Sequence, residues 1–323
     1  MIVRARAERW PIAGAFAIAR GSKTSADVVV VELEDRGHVG RGECVPYARY
    51  GETIEGVIAS IESVTEGAAV SRDGIRGVRG AARSALDLAL WELEAARAGT
   101  DVAALAGLQR RDRIASAITI SIADPAIVGE RAAALADRPL LKIKLAGDGL
   151  DLERVRAIRD AAPRATLWVD ANEGWDEPTY DALAPQLAEL GVALLEQPLP
   201  ADRDHALRGR ARPVPLCADE SAFGADGVAA LADRYDAINV KLDKAGGLTG
   251  AIETIDAART AGLQVVLGCM VCTSLAIAPA CLLASRADLV DLDGSVLLAR
   301  DRDGGARIEG GMLVPPARAL WGG

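Results

Sequence analysis

Short apolar runs that end in a charged residue recur along the chain after residue 107, and helical segments alternate with them. Eight strands at intervals of roughly 25 residues, each followed by a helical run, are typical of a (β/α)8 barrel. No G-x-G-x-x-G motif opens a helix after any of these strands, which argues against a dinucleotide-binding sheet. We therefore predict an α/β fold built on a (β/α)8-type barrel. The predicted strands are 114–122, 139–145, 165–170, 192–196, 214–218, 236–241, 264–268 and 288–291.

The first hundred residues show a different pattern. A β-branched run at 27–34, a turn and a returning strand at 39–44 predict an antiparallel meander, and helical spacing follows from Thr53 to about Val70 and from Gly80 to Ala98. This order of elements indicates a separate α+β unit. The predicted domains are an N-terminal α+β domain at 1–107, the barrel at 108–300, and a C-terminal segment at 301–323 that returns to the first domain.

Composition excludes several classes of function. The 323 residues carry a net charge of -9, which disfavours a nucleic-acid partner. No apolar run is long enough to cross a bilayer and the first residues lack the pattern of a signal peptide, so we expect a cytoplasmic protein without a membrane partner. A homo-oligomer remains compatible with the sequence.

Histidine and cysteine chemistry is also disfavoured. His38 and His205 are the only histidines, and five cysteines are an odd number in a chain too large to need a disulfide framework. Cys269 and Cys272 have C-x-x-C spacing, but no second pair completes a zinc site. Any catalysis must therefore use lysine, aspartate and glutamate.

Three carboxylates end neighbouring predicted strands at the edge where barrel enzymes carry their active sites. They are Asp170, Glu196 and Asp219, on the third, fourth and fifth barrel strands. A cluster of oxygen ligands without histidine or cysteine selects a hard cation, most simply one Mg²⁺ per subunit. Asn172, two residues beyond Asp170, is a supporting residue of this site.

Lysines occupy the second and sixth strands on either side of these carboxylates. Lys142 and Lys144 are two residues apart on one strand and so point to the same side. Strands two and six lie opposite each other in a ring of eight, which makes Lys144 and Lys241 face each other across the barrel mouth. A carbon held between two amines can lose a proton from one face and regain it on the other, through an enediolate stabilised by the metal. A lysine base needs a pKa near neutrality, which a second lysine and a bound cation favour.

Two further segments are candidates for substrate contacts. Asp291 and Asp293 on the eighth strand lie across from the predicted metal and suit a substrate cation such as an ammonium group. A polar, small-residue segment at 19–25 carries Arg20 and Lys23, which suit an anion, although its spacing alone is more typical of a solvated hairpin loop.

Each feature has a structural alternative when it is taken alone. A Lys-x-Lys pair is commonly exposed on an edge strand, and an aspartate at a strand end is commonly a helix N-cap. The conjunction favours a site, because charged residues of the right kinds fall on strands two, three, four, five, six and eight.

These motifs resemble the enolase superfamily in its muconate-lactonizing subgroup, and within it the dipeptide epimerases. The resemblance extends over nearly the whole chain, and the acidic pair resembles the ammonium-binding Asp-x-Asp of dipeptide epimerases. The motifs that carry it lie at 141–144, 169–172, 195–200, 218–221, 239–242 and 291–293.

The resemblance implies a Mg²⁺-dependent isomerase that epimerises dipeptides, with L-Ala-D/L-Glu from murein turnover as the expected substrate. Lys144 would be the base for the (R)-substrate and Lys241 the base for the (S)-substrate, while Asp170, Glu196 and Asp219 would bind the metal. It also implies that the first domain caps the barrel and that segment 19–25 closes over the substrate. The expected substrate contacts are Lys142, Thr119, Cys269, Met270, Asp291, Asp293, Arg20 and Lys23.

Three alternatives remain open at this point. The same site could serve a cycloisomerase or dehydratase similar to o-succinylbenzoate synthase, which uses one lysine as base and a substrate without an ammonium group. A Schiff-base aldolase could use Lys241 as its nucleophile. A barrel that only binds peptides would need no catalytic lysine.

Overall fold

The structure is a computed structural model that describes residues 1–65 and 70–323. Its N-terminal part is an antiparallel sheet with the order β1-β2-β3, covered by helices. The predicted meander and both predicted helices are present, and the predicted helix end near residue 70 lies partly outside the described residues. The elements are β1 (Ile2–Ile18), β2 (Gly21–Asp35), β3 (His38–Cys44), α1 (Ile54–Thr65), α2 (Gly80–Ala98) and α3 (Val102–Ala106).

The valine run of β2 places this sheet between two hydrophobic cores. Successive side chains of a strand point to opposite faces. Val29 and Val31 accordingly pack with α2 in one buried cluster, whereas Val28 and Val30 belong to the buried cluster of the barrel. The alternation thus fastens the N-terminal sheet to the barrel.

Close contact between β3 and α2 depends on two glycines. A Cβ atom on Gly40 would lie 2.0 Å from the carbonyl oxygen of Ala89, and one on Gly42 would lie 2.0 Å from that of Ala85. Any side chain at these positions would therefore push the helix away from the sheet.

The rest of the chain forms the predicted eight-stranded parallel sheet, with strands paired in chain order. A hydrogen bond from Ala117 N to Val290 O, 2.8 Å long, joins its first and last strands and closes the barrel. Seven of the eight strands are shorter than predicted, most clearly at 114–122, where three residues pair, and the strand at 192–196 has the predicted bounds. They are β4 (Ile118–Ile120), β5 (Leu140–Lys144), β6 (Thr166–Asp170), β7 (Val192–Glu196), β8 (Leu216–Ala218), β9 (Ala237–Val240), β10 (Gln264–Leu267) and β11 (Leu289–Val290).

Helices follow six of the first seven barrel strands, and one short 3₁₀ helix at Asp204–Leu207 takes the place of a helix after β7. No α-helix follows β11 in the described residues, so the last repeat is incomplete. None of the described helices combines the length and the apolar character that crossing a bilayer would require. The helices are α4 (Pro125–Ala134), α5 (Asp151–Ala161), α6 (Glu177–Glu189), α7 (Val228–Leu231), α8 (Leu242–Ala245), α9 (Gly247–Thr260) and α10 (Ser274–Cys281).

Strand register brings the functional candidates to one level. Lys144 on β5 pairs with Asp170 on β6, and Asp170 pairs in turn with Glu196 on β7. These three residues end their strands, so their side chains meet at the barrel mouth.

Residues after 300 contact both parts of the chain. They include a hairpin of β12 (Arg307–Glu309) and β13 (Met312–Val314), and Leu313 pairs with Ile114 beside the barrel. Further along, the buried Trp321 donates a 2.8 Å hydrogen bond from its indole nitrogen to the carbonyl oxygen of Arg41 on β3.

The interpretation of residues 19–25 as a loop was wrong in detail. Strands β1 and β2 form one long hairpin in which Ile18 pairs with Gly21, so the turn consists of Ala19 and Arg20 alone. Gly21 onwards is strand, because the backbone of this segment pairs with β1 on both sides of a register shift between Pro11 and Phe16.

Candidate active site

A cavity of about 880 Å³ lies between the barrel mouth and the N-terminal part of the chain. Its walls come from the β1–β2 hairpin, from residues 45–54 and from the C-terminal ends of the barrel strands. A cavity of this size suits a ligand of a few residues or a small metabolite.

Three buried carboxylates, Asp170, Glu196 and Asp219, meet beside this cavity, and Asp219 lines its wall. One oxygen of each lies within 4.8 Å of the others, as the ligands of a single metal ion would. Burial, together with the adjacent Asp170 carboxylate, raises the pKa of Glu196 to about 8. The donors are all carboxylate oxygens, so the cluster fits a hard divalent cation.

Lysine side chains surround the cluster. Lys142 Nζ lies 2.7 Å from Glu196 Oε2 and 3.2 Å from Asp170 Oδ2. Lys144 donates to Asp170 over 2.6 Å, and Lys241 donates to Asp219 over 2.7 Å. The two predicted bases thus contact different carboxylates of the cluster.

The carboxylates around Lys241 and Lys142 raise the pKa of both amines. Burial lowers the pKa of Lys241, but the nearby Asp219 carboxylate outweighs it and holds the pKa well above its usual value. The pKa of Lys142 is raised in the same way, mainly by Asp291 and Glu196 against the effect of burial. Lys142 and Lys241 therefore remain protonated beside these carboxylates, so a base role for Lys241 requires another cation to neutralise them.

Asp291 and Asp293 lie on the opposite side of Lys142 from the cluster. Asp291 Oδ2 lies 3.0 Å from Lys142 Nζ, while its buried Oδ1 has no hydrogen-bond partner in the described structure. Asp293 accepts a 2.7 Å hydrogen bond from Thr119 N. Burial and the neighbouring Asp291 raise the pKa of Asp293 to about 7. This pair therefore has acceptor capacity and negative potential for a further cation.

The remaining predicted contacts all line the cavity. Thr119, Cys269 and Met270 form part of the barrel side of its wall. All five cysteines are free thiols, and Cys269 is the one that is partly exposed.

Arg20 and Lys23 differ in whether their charged groups contact acidic side chains of the protein. Arg20 donates to the carbonyl oxygen of Asn172 and to the carboxylate of Glu220, both over 2.7 Å. Lys23 is exposed in the cavity wall, with its Nζ 5.1 Å from the centre of the Tyr47 ring, and no described carboxylate lies within ion-pair distance of it.

Residues outside the predicted set hold the carboxylates in place. Asn239 donates a 2.7 Å hydrogen bond to Glu196, and the buried Lys244 contacts both the carboxylate and the carbonyl oxygen of Asp219. The sequence signal that could have identified Asn239 and Lys244 as part of the site was their spacing around Lys241 at the end of one strand. Taken alone, this spacing is typical of surface lysines.

The predicted supporting residue Asn172 lies directly beside the cluster. Its backbone nitrogen donates a 2.9 Å hydrogen bond to Asp170 Oδ1, and its backbone has a φ of 45°. Asparagine tolerates this left-handed conformation better than most residues, so the tight turn after β6 forms here with little backbone strain.

Two family descriptions match most of the chain. Residues 1–107 match the mandelate racemase / muconate lactonizing enzyme N-terminal domain, and residues 128–319 match the enolase C-terminal domain-like family. The L-Ala-D/L-Glu epimerase of Escherichia coli (strain K12) is 46% identical over 300 residues, which cover 91% of this chain and 93% of that protein. An N-acetyl-D-glutamate racemase of Pseudoalteromonas sp is 40% identical over 302 residues, covering 92% and 95%.

Solved structures agree with these matches. An enolase family member from Agrobacterium tumefaciens with homology to dipeptide epimerases, bound to sodium and L-Ala-L-Glu, has a TM-score of 0.94 and 45% identity, covering 99% of both chains. A dipeptide epimerase from Methylococcus capsulatus, complexed with Mg and the dipeptide L-Arg-D-Lys, has a TM-score of 0.87 and 31% identity, covering 99% of this chain and 98% of that one.

Replacing Lys244 by methionine should destabilise the folded protein by about 3 to 5 kcal/mol in the absence of added metal, because it leaves a buried carboxylate with half of its cationic partners. Urea unfolding followed by circular dichroism measures this change. Lys23→Met is the matched control, and its effect should stay within about 0.5 kcal/mol because Lys23 is exposed and unpaired. Equal effects of the two substitutions would contradict this account of the Lys244 contacts.

Proposed function

The chain belongs to the mandelate racemase / muconate lactonizing enzyme family of the enolase superfamily, and we propose that it is a Mg²⁺-dependent dipeptide epimerase. The proposed substrates are L-Ala-D-Glu and L-Ala-L-Glu. One observation carries the proposal: two buried lysines that line the cavity contact different members of a carboxylate cluster, and a buried aspartate pair lines the same cavity.

Asp170, Glu196 and Asp219 would hold the Mg²⁺ ion. When bound, the ion supplies positive charge that stabilises negative charge developing on the substrate carboxylate. Its charge also competes with the lysines for the carboxylates, which favours a neutral amine on whichever lysine acts as base.

Lys144 and Lys241 exchange the proton of the α-carbon between two faces. With the D-residue bound, Lys144 Nζ accepts the α-proton as the C–H bond breaks, and Lys241 donates a proton to the opposite face. With the L-residue bound, the two lysines exchange roles. Each turnover therefore leaves one amine with an added proton and the other without one, and solvent exchange restores the starting state.

Asp291 and Asp293 would bind the ammonium group of the dipeptide. The unpartnered Asp291 Oδ1 and the raised pKa of Asp293 support this assignment, since both reflect negative charge without enough cationic partners. Lys142, between this pair and the carboxylate cluster, would contact the substrate carboxylate. Thr119, Cys269 and Met270 would line the peptide.

Lys23 is proposed as the contact for the glutamate side chain. It is a lysine of the cavity wall without a described acidic partner, whereas the guanidinium of Arg20 is engaged with Asn172 and Glu220. Of the two predicted substrate contacts in segment 19–25, Arg20 and Lys23, this assignment keeps only Lys23.

The proposal extends to organisation and setting. Residues 1–107 would form the cap, 108–300 the barrel and 301–323 a segment that returns to the cap. The contact between Trp321 and Arg41 supports this return. Limited proteolysis would check the boundary at 107. We also propose a cytoplasmic enzyme that acts on dipeptides from murein turnover, without nucleic-acid or membrane partners. Five free thiols agree with a reducing compartment.

The central test is ¹H NMR of L-Ala-D-Glu with the enzyme and Mg²⁺ in D₂O. The Glu α-proton signal should disappear while the L,L-diastereomer forms, because the abstracted proton exchanges with solvent. EDTA should stop the reaction and Mg²⁺ should restore it. N-acetyl-L-Ala-D-Glu should react far more slowly, since it offers no ammonium group to the aspartate pair.

Other outcomes would identify the alternatives. Exchange with other dipeptides alone would change the specificity, and faster reaction of N-acetyl-D-glutamate would indicate an N-acylamino acid racemase. No exchange with any of these compounds would reject the epimerase and favour a cycloisomerase or dehydratase. Activity that survives EDTA, with borohydride trapping at Lys241, would indicate a Schiff-base aldolase. Peptide binding without turnover, unchanged in Lys144→Ala, would indicate a binding barrel.

Single-lysine variants should separate the two half-reactions. Lys144→Ala and Lys241→Ala should each lower epimerisation by about 10² to 10⁴-fold, the usual contribution of a positioned base. In D₂O, Lys241→Ala should still exchange the α-proton of L-Ala-D-Glu, and Lys144→Ala should still exchange that of L-Ala-L-Glu. If one variant lost both exchanges and the other lost neither, a one-base mechanism would replace the proposal.

Replacing Lys23 by methionine should raise KM for L-Ala-L-Glu by about 10- to 100-fold with little change in kcat, since a hydrogen bond to a charged group is lost. Steady-state kinetics with a dipeptide that ends in valine provides the control, because that substrate has no side-chain carboxylate. An equal rise of KM for both dipeptides would show that Lys23 does not read the glutamate side chain.

A further inference from the structure

The guanidinium of Arg20 connects the tip of the β1–β2 hairpin with two separate loops of the barrel. One nitrogen, which also lies 3.1 Å from the carboxylate of Glu173, donates to the carbonyl oxygen of Asn172, and the other nitrogen donates to the carboxylate of Glu220. These partners are 152 and 200 residues away in the chain. The hairpin is therefore held over the cavity by contacts with the barrel itself.

Both loops begin at a carboxylate of the cluster. Asn172 lies two residues after Asp170, and Glu220 directly follows Asp219. Asn172 also joins the loops to each other, because its side-chain amide donates to Glu220 Oε1 over 3.3 Å. Arg20, Asn172 and Glu220 thus form one network behind two of the three cluster carboxylates.

This network is largely closed to solvent. Glu220 is 2% exposed and Asn172 is 4% exposed, while the Arg20 side chain keeps 26% of its surface in the cavity. Among the described residues, Arg20 is the one cation within ion-pair distance of Glu220. Without it, a buried carboxylate would remain next to Asp219 with no cationic partner, and the loop would have to rearrange to reach water.

We infer that Arg20 is a positioning residue that couples closure of the hairpin over the cavity to the arrangement of Asp170 and Asp219. This inference rests on the proposed function, because it takes these two carboxylates as metal ligands. Residues that orient metal ligands from behind typically change metal affinity or activity by about 10- to 100-fold when they are removed.

Arg49 is a matched control. It also connects the N-terminal part of the chain to the barrel, through two hydrogen bonds of 2.7 and 2.6 Å to the carboxylate of Glu173. It contacts neither Asn172 nor Glu220 in the described structure. Arg49→Met therefore removes an ion pair with Glu173, a residue that Arg20 also contacts, and leaves the bonds of Arg20 to Asn172 and Glu220 in place.

The experiment compares Mg²⁺ binding to the full chain by calorimetry, without substrate, in wild type, Arg20→Met, Arg20→Lys and Arg49→Met. We expect Arg20→Met to weaken Mg²⁺ binding by about 10- to 100-fold and Arg49→Met to change it by less than about threefold. Arg20→Lys should lie between them, because lysine keeps the charge but lacks the fork that reaches both loops. Hydrogen exchange should become faster in Arg20→Met at 19–25 and also at 219–221.

Two results would overturn the inference. Equal losses of Mg²⁺ affinity in Arg20→Met and Arg49→Met would mean that any contact between cap and barrel has the same effect. Unchanged Mg²⁺ affinity, with a raised KM only for dipeptides that end in glutamate, would make Arg20 a substrate contact instead. Wild-type protein that binds Mg²⁺ but exchanges no α-proton would reject the proposed function and leave this comparison valid.

Discussion

Ion pairing among almost fully buried side chains at the barrel mouth is the constraint on which the site depends. Lys142 is 1% exposed and its Nζ lies within 3.2 Å of carboxylate oxygens of Asp170, Glu196 and Asp291, over the face of Trp168 at 4.3 Å. Buried charges of this density are tolerated only when each one has partners. The lysine therefore links the carboxylate cluster to Asp291 of the aspartate pair.

Much of this arrangement could be predicted because parallel strands give simple rules. Side chains two residues apart share a face, and the ends of neighbouring strands share an edge. These rules were enough to bring Lys144, Asp170 and Glu196 together, and the observed register confirms that they lie side by side. The eight strands themselves could be predicted from the alternation of apolar and helical runs. For seven of them, the predicted range is longer than the observed strand.

The parts that could not be predicted depend on long side chains that reach across the fold. Nothing local indicates that Arg20 bonds to residues far along the chain, or that Lys244 turns inward to Asp219 when its spacing is that of a surface lysine. The direction of the pKa shift of Lys241 could not be predicted from the sequence either, because it depends on the balance between burial and the carboxylates around the amine. A hairpin in place of a loop at 19–25 reflects backbone pairing that its small polar residues do not specify.

The contact between Trp321 and Arg41 has a consequence for the time course of synthesis. β3 is an edge strand, and the carbonyl oxygen of Arg41 receives its indole partner from a residue 280 positions later. At a translation rate of about 5 to 20 residues per second, that delay is roughly 14 to 56 s. Throughout that interval the nascent sheet has an unprotected edge, the kind of surface that pairs with other chains. The carbonyl oxygen of Arg41 is therefore open to wrong pairing until the C-terminal segment has been synthesised.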